Sequence, residues 1–208
     1  MVGAGLLLLG DSRVPAGGHV HSGGVEAAWR AGLVTDVASL RHFLIGRLST
    51  TGRVCAAFAA SAARMSPDAD WALLDEEFDA RTPSAAQRAA SRQQGRGLLR
   101  AYPGAAPWLG PKPHQPIAFG VLGALGGASP EEVALSTALA SVTAPASAAL
   151  RLLALDPFAV HRMLVALTST VDSVAAKAAS AGLPDDCAPL LEVLAEAHHQ
   201  SEGQLFVS

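Results

Sequence analysis

The chain has 208 residues and a formal net charge of −3 at pH 7. That balance excludes a broad nucleic-acid footprint, and the length can bury a sizeable core without staples. Its two cysteines, Cys55 and Cys187, lie far apart and in no CxxC or Cys/His pattern. A disulfide scaffold and a zinc ribbon are therefore excluded, and a reducing cytosol is the expected compartment.

Ala and Leu, 43 and 28 residues, make up a third of the chain, and β-branched runs are scarce. Both are strong helix formers, so the composition predicts an all-α, single-domain helical bundle of eight to ten helices with no significant sheet. Charged residues are 16% of the chain, against ~25% in ordinary soluble domains, and mean hydropathy is +0.30. Two explanations fit. Part of the surface is covered by partner proteins, or the excess of 13 Arg over 2 Lys reflects a GC-rich genome.

Leu6–Leu9 is a short apolar run with no basic residue before it, which fails as a signal peptide. The segment from Asp11 to Glu26 is rich in glycine and proline and opens a helix carrying Val25, Ala28, Trp29 and Leu33, with Ser22 as a candidate N-cap. Val37, Leu40, Phe43, Leu44 and Leu48 line one helical face. Gly52 is expected to turn the chain into a second, Ala-rich helix over about 54–65. Asp68 is the candidate cap for the helix of Trp71, Leu74 and Phe78. Thr82 followed by Pro83 predicts a capped helix to about Arg100, whose Arg and Gln residues make it the most solvent-facing element.

Residues 102–116 hold five prolines and two glycines and read as a loop between two helical halves. Ile117–Leu125 predicts a short buried helix, too short to span a bilayer, which takes ~20 apolar residues. Ser129-Pro-Glu-Glu132 is a capping box, and the apolar stretch from Ala138 to Leu155, interrupted by Pro145 and Arg151, reads as a buried core helix. Asp156 and Pro157 repeat the cap-plus-proline device. Asp185 or Asp186 starts the last helix, which runs to about His198. No membrane segment is expected, and the chain reads as cytoplasmic.

No phosphate loop, GxSxG elbow or HExxH is present, and neither lysine stands near a glycine-rich turn. Nucleotide or hydrolytic chemistry by the chain itself is therefore not expected. The glycine-rich loop 15–24 leaves three readings open: an anion site on free N–H groups, a metal site using His19 and His21, or a surface that lets another backbone approach closely. His198 and His199 are further weak metal candidates. Adjacent helical residues point about 100° apart, so the pair does not chelate from one helix.

The segment from Asp11 to Glu26 resembles the N-terminal signature of the UreF family of urease accessory proteins, Asp-Ser-x-Phe-Pro-Thr-Gly-Gly-Phe-Ala-His-Ser-x-Gly-Leu-Glu. Asp11, Ser12, Pro15, Gly17, Gly18, His21, Ser22, Gly24 and Glu26 match it by position. Gln94-Gly-Arg-Gly-Leu-Leu-Arg100 is similar to a family helix, as are His114-x-Pro116, Ser147-Ala-Ala-x-Arg151 and the ending Leu205-Phe206-x-Ser208.

The resemblance implies a non-enzymatic, all-α homodimer without a tightly bound cofactor. Such a protein binds the accessory protein UreD (UreH), recruits the GTPase UreG, and through that complex serves nickel insertion into the urease apoprotein. It implies partner contacts for Pro15, Gly17, Gly18, His21, Ser22, Glu26, Arg151, Leu205, Phe206 and Ser208. The chain departs from the pattern at Ala16, at His19 where an aromatic is usual, at His199 where Glu is usual, and in a tail that lacks both family arginines. Residues 201–208 are expected to form a flexible tail, with Leu205 and Phe206 awaiting a partner. A direct nickel carrier and a small-molecule enzyme using loop 15–24 are the alternatives.

Overall fold

The helix N-termini show where local chemistry decides the fold and where it does not. The computed structural model describes residues 3–11, 13–16, 18–201 and 203–206, with only the backbone of His19. Among them are ten α-helices and no strand: α1 (Ala4–Leu9), α2 (Val25–Arg30), α3 (Val37–Arg47), α4 (Arg53–Arg64), α5 (Trp71–Ala80), α6 (Ala85–Ala101), α7 (Gln115–Leu125), α8 (Pro130–Leu153), α9 (Pro157–Ser180) and α10 (Pro189–His199).

The caps at Ser129 and Asp156 form as expected. Ser129 accepts from the Glu132 N–H while Glu132 reaches back, and Asp156 accepts from the Phe158 and Ala159 N–H groups. Four others differ. Asp70, not Asp68, caps α5, and Ser84, not Thr82, caps α6. The last helix starts at Pro189 without a side-chain cap, because Asp185 and Asp186 are taken by Arg81 and Arg53 at 2.9 and 3.1 Å. At α2 the N-cap is Gly24, whose φ of +88° excludes serine-type capping geometry, and Ser22 accepts from the Glu26 N–H one turn on.

Gly52 does not turn the chain. A π-helical turn, Leu48–Gly52, joins α3 to α4 with helical dihedrals on both sides. A side chain at Gly52 must displace Ser141 of α8, whose Oγ lies 2.6 Å from the position a Cβ takes.

α4 is the hub, packed on α7, α8 and α9. Its Ala56, Ala57, Ala59, Ala60 and Ala62 are buried around Phe58, and small side chains let neighbouring helix backbones approach. The approach is closest at Gly120 of α7, where a Cβ falls 2.2 Å from the Ala59 carbonyl oxygen. Ile117 and Val121 share a core with Phe58 and Phe78. The Pro-rich connection, which ends at His114, thus does not divide the chain into two cores. α8 meets the length and composition of a membrane-crossing helix, but half of its most apolar window is buried in the fold, and it continues through the buried Pro145.

α6 is also less free than its composition implies. Gly95 and Leu98 are buried, and Arg88 and Arg92 reach Asp79 and Asp75 of α5. Arg92 Nη2 lies 2.7 Å from both Asp75 and Asp79. His114 is fully buried beside them, with Nε2 2.8 Å from Asp79 Oδ1 and Nδ1 3.1 Å from Ser91 Oγ. The Asp79 carboxylate can only accept, which assigns the ring proton to Nε2 and makes Nδ1 the acceptor of the Ser91 hydroxyl, while Ser91 Oγ accepts from the Gln115 N–H.

Burial, then the Arg92 charge, holds the His114 pKa below its ordinary value, against the opposing pull of Asp75 and Asp79. The folded state thus binds fewer protons than the unfolded one. This contribution to stability is present in full above about pH 6.5 and is lost as pH falls toward the depressed value. Replacing His114 with Asn is expected to lower the urea midpoint at pH 7 and to shrink its change between roughly pH 6.5 and 5. An unaltered pH slope in urea titrations refutes this assignment.

Candidate functional site

The two separate motifs, residues 11–26 and 94–100, meet in space. Asp11 and Arg13 pair at 2.7 Å on the surface, and the Arg13 guanidinium and N–H hold the Asp11 carboxyl down to about 2. The chain then folds back so that Ala16 lies over α6 at Gly97, where a Cβ falls 2.7 Å from Ala16 Cα. Only a residue without a side chain admits this crossing. Pro15 and Gly18 remain exposed, whereas His21 and Ser22 turn inward and are buried. Gly23 lies against the Arg47 guanidinium, 3.3 Å from its Cζ measured from the Cβ position, and Arg47 Nε donates to the Ser141 carbonyl at 3.2 Å.

Glu26, in the first turn of α2, is the centre of this region and has no exposed surface. It accepts from the backbone N–H groups of Leu205 at 3.0 Å and Phe206 at 2.8 Å. Arg30, one turn along, pairs with it at 3.0 Å, and His198 Nε2 stands 3.7 Å away. Burial pushes the Glu26 carboxyl up, but the two N–H donors, Arg30 and His198 outweigh it and leave its pKa below the ordinary value. His198 is itself buried, with Nε2 3.2 Å from the Phe206 carbonyl oxygen.

The tail is therefore docked over residues 203–206 rather than free. Phe206 is 5% exposed and belongs to the largest core cluster, and the Arg151 guanidinium stands 4.5 Å from its ring centre. Leu205, its neighbour, is 71% exposed. Glu26, Arg151, Phe206 and His198, drawn from three helices and the tail, thus form one assembly. Among the described residues, Pro15, Gly18, Arg151 and Leu205 are the exposed members of the expected partner set. Gly17 and Ser208 lie outside the described residues, as does the His19 side chain.

His198 faces inward and His199 outward, so that pair does not converge. Among the described residues the one group with metal-ligand spacing is Asp75, Asp79 and His114, and Arg92 already sits between its carboxylates. Sequence reasoning passed over this cluster. The i, i+4 spacing of Asp75 and Asp79 was its only local signal, and the partners come from two other elements.

An all-α chain whose glycine-rich N-terminal motif receives its own C-terminal segment is the class defined by this geometry. The UreF family model matches residues 34–168. The chain is 50% identical to the urease accessory protein UreF of Mycolicibacterium vanbaalenii over 99% of its length and 98% of that protein's. It is 49% identical to the UreF of Mycobacterium marinum, over 98% and 97% of the two chains. The UreF of Mycobacterium bovis is 47% identical, again over 98% and 97%. The chain belongs to the UreF family.

Proposed function

We propose that this chain is a cytoplasmic scaffold in urease maturation, a homodimer that bridges UreD (UreH) and the GTPase UreG for nickel insertion into the urease apoprotein. Family membership supports the accessory role. The observation that carries the bridging role is the docked tail, which places exposed Leu205 on the helix that follows the exposed loop of Pro15 and Gly18. One assembly presents two surface features from opposite ends of the chain. Co-expression with UreD and UreG, followed by mass measurement of the purified complex, tests it. A complex containing all three supports the bridge. Nickel held by the isolated chain, or turnover of a small substrate by it, overturns the scaffold reading in favour of a carrier or an enzyme.

Gly18 gives a sharper test. It is exposed, and a Cβ there meets nothing within 4 Å. Gly18→Trp is expected to leave the melting temperature within ~2 °C, since surface changes of this kind shift stability by about 0.5 kcal/mol or less, while UreG capture in pull-downs falls several-fold. A large drop in melting temperature shows that the loop serves the fold and sinks this assignment.

A further inference from the structure

Both cysteines of the chain line one narrow cleft. Its walls are Thr51 and Cys55 beside the π-helical turn, Arg81 and Thr82 at the end of α5, and Asp186 to Ala188 ahead of α10. Neither thiol is in a disulfide, and neither has a part in the tail assembly or the exposed loop.

The two thiols differ in a way that fits a reactive and a resolving pair. Cys187 is exposed, in a segment without helix between α9 and α10. The ion pairs beside it, Arg53 with Asp186 and Arg81 with Asp185, join partly exposed groups. Such exposed pairs contribute little, so the contact the segment must release to bring one sulfur to the other is the Arg81 Nε–H bond to the Pro184 carbonyl at 3.0 Å. Cys55 is half-buried, less open than Cys187, and burial pushes its thiol up to about 11. It stays protonated near neutral pH, so a solvent oxidant meets Cys187 first, and Cys55 gives up its proton only as it attacks the oxidised partner.

We propose that Cys55 and Cys187 are a peroxide-oxidisable pair that closes into a disulfide across this cleft. The Cys187 thiolate attacks one peroxide oxygen, the O–O bond breaks, and the released hydroxide takes a proton to leave as water. Cys187 is then a sulfenic acid. The Cys55 sulfur attacks the Cys187 sulfur, the S–O bond breaks, and the Cys55 proton leaves with the departing hydroxide as a second water. Two thiols lose two electrons and two protons, and the peroxide is reduced. The product ties the segment ahead of α10 to the first turn of α4.

The full chain, treated with hydrogen peroxide under native conditions and then alkylated, tests this by intact mass and peptide mapping. The expected result is a loss of two hydrogens, a linked Cys55–Cys187 peptide pair, and reversal by dithiothreitol. Cys187→Ser is expected to show no such loss, and Cys55→Ala to accumulate oxygen on Cys187. If Cys187 of the unmodified chain gains oxygen, or joins two chains together, while Cys55 remains fully alkylatable, the proposal is overturned.

Discussion

Replacing Glu26 with alanine is expected to destabilise the chain by about 3–5 kcal/mol, a drop of roughly 10 °C in melting temperature for a domain of this size. The carboxylate is fully buried and holds the N–H groups of Leu205 and Phe206. Its removal leaves two donors with no acceptor, each costing about 1–3 kcal/mol if they stay buried. It also leaves His198 buried without its nearby charge. Glu26→Gln restores one acceptor but sets an NH2 group against the second N–H, so an intermediate loss is expected.

The pH dependence of this contribution separates it from simple packing. Because the folded-state pKa of Glu26 is lowered, its contribution is present in full above the ordinary glutamate value near 4.3. It is lost as pH falls through the depressed folded value. The gap in stability between the natural chain and Glu26→Gln is therefore expected to narrow below about pH 4 in denaturant titrations. A gap that stays constant down to pH 3 counts against an ionised Glu26.

How far the fold was legible follows from the range of the interactions involved. The capping box at Ser129 and the Asp156 cap use partners two or three residues away, and both form as read. Thr82, Asp68 and the Asp185–Asp186 pair failed because local propensity offered several acceptable starts, and contacts of long range chose among them. Arg81 and Arg53, more than 100 residues earlier in the chain, claim the two aspartates. Gly52 looked like a turn because glycine permits one. Its reason is the approach of Ser141, which no window around residue 52 contains.

The same limit applies to the site. The glycine-rich motif opens the helix that carries Glu26, but the resemblance marks Glu26 only as a partner contact. Beside Arg30 one turn along, the two N–H groups it holds stand 179 and 180 positions away. Arg151 read as a lone arginine on an apolar helix, and its aromatic partner is at the far end of the chain. Leu205 and Phe206 were indistinguishable in sequence. The chain bends at both residues and turns both N–H groups onto the Glu26 carboxylate, which leaves Phe206 in the core and Leu205 outside.

That division sets the last expectation. A free tail predicts that removing residues 204–208 leaves the melting temperature unchanged. A docked Phe206, 5% exposed, predicts a loss of about 2–4 kcal/mol and several degrees of melting temperature. The loss stays below the ~3–5 kcal/mol typical of Phe→Ala in a closed core, because a terminal segment can undock without opening the rest. Phe206→Ala is expected to reproduce most of it, and Arg151→Ala about 0.5–1 kcal/mol through the lost contact with the ring. Leu205 behaves oppositely. At 71% exposure, Leu205→Ala costs the isolated chain little, yet weakens capture of UreD if that side chain is the contact. Without the family's tail arginines, this capture is expected to respond only mildly to salt, since screening acts on charges and not on apolar burial. Thermal melts of the four variants, paired with UreD pull-downs at low and moderate salt, therefore sort the tail into a part that belongs to the fold and a part that faces the partner. If Leu205→Ala binds UreD as well as the natural chain while Phe206→Ala loses both stability and binding, the tail acts only by holding α2 and α10 in place.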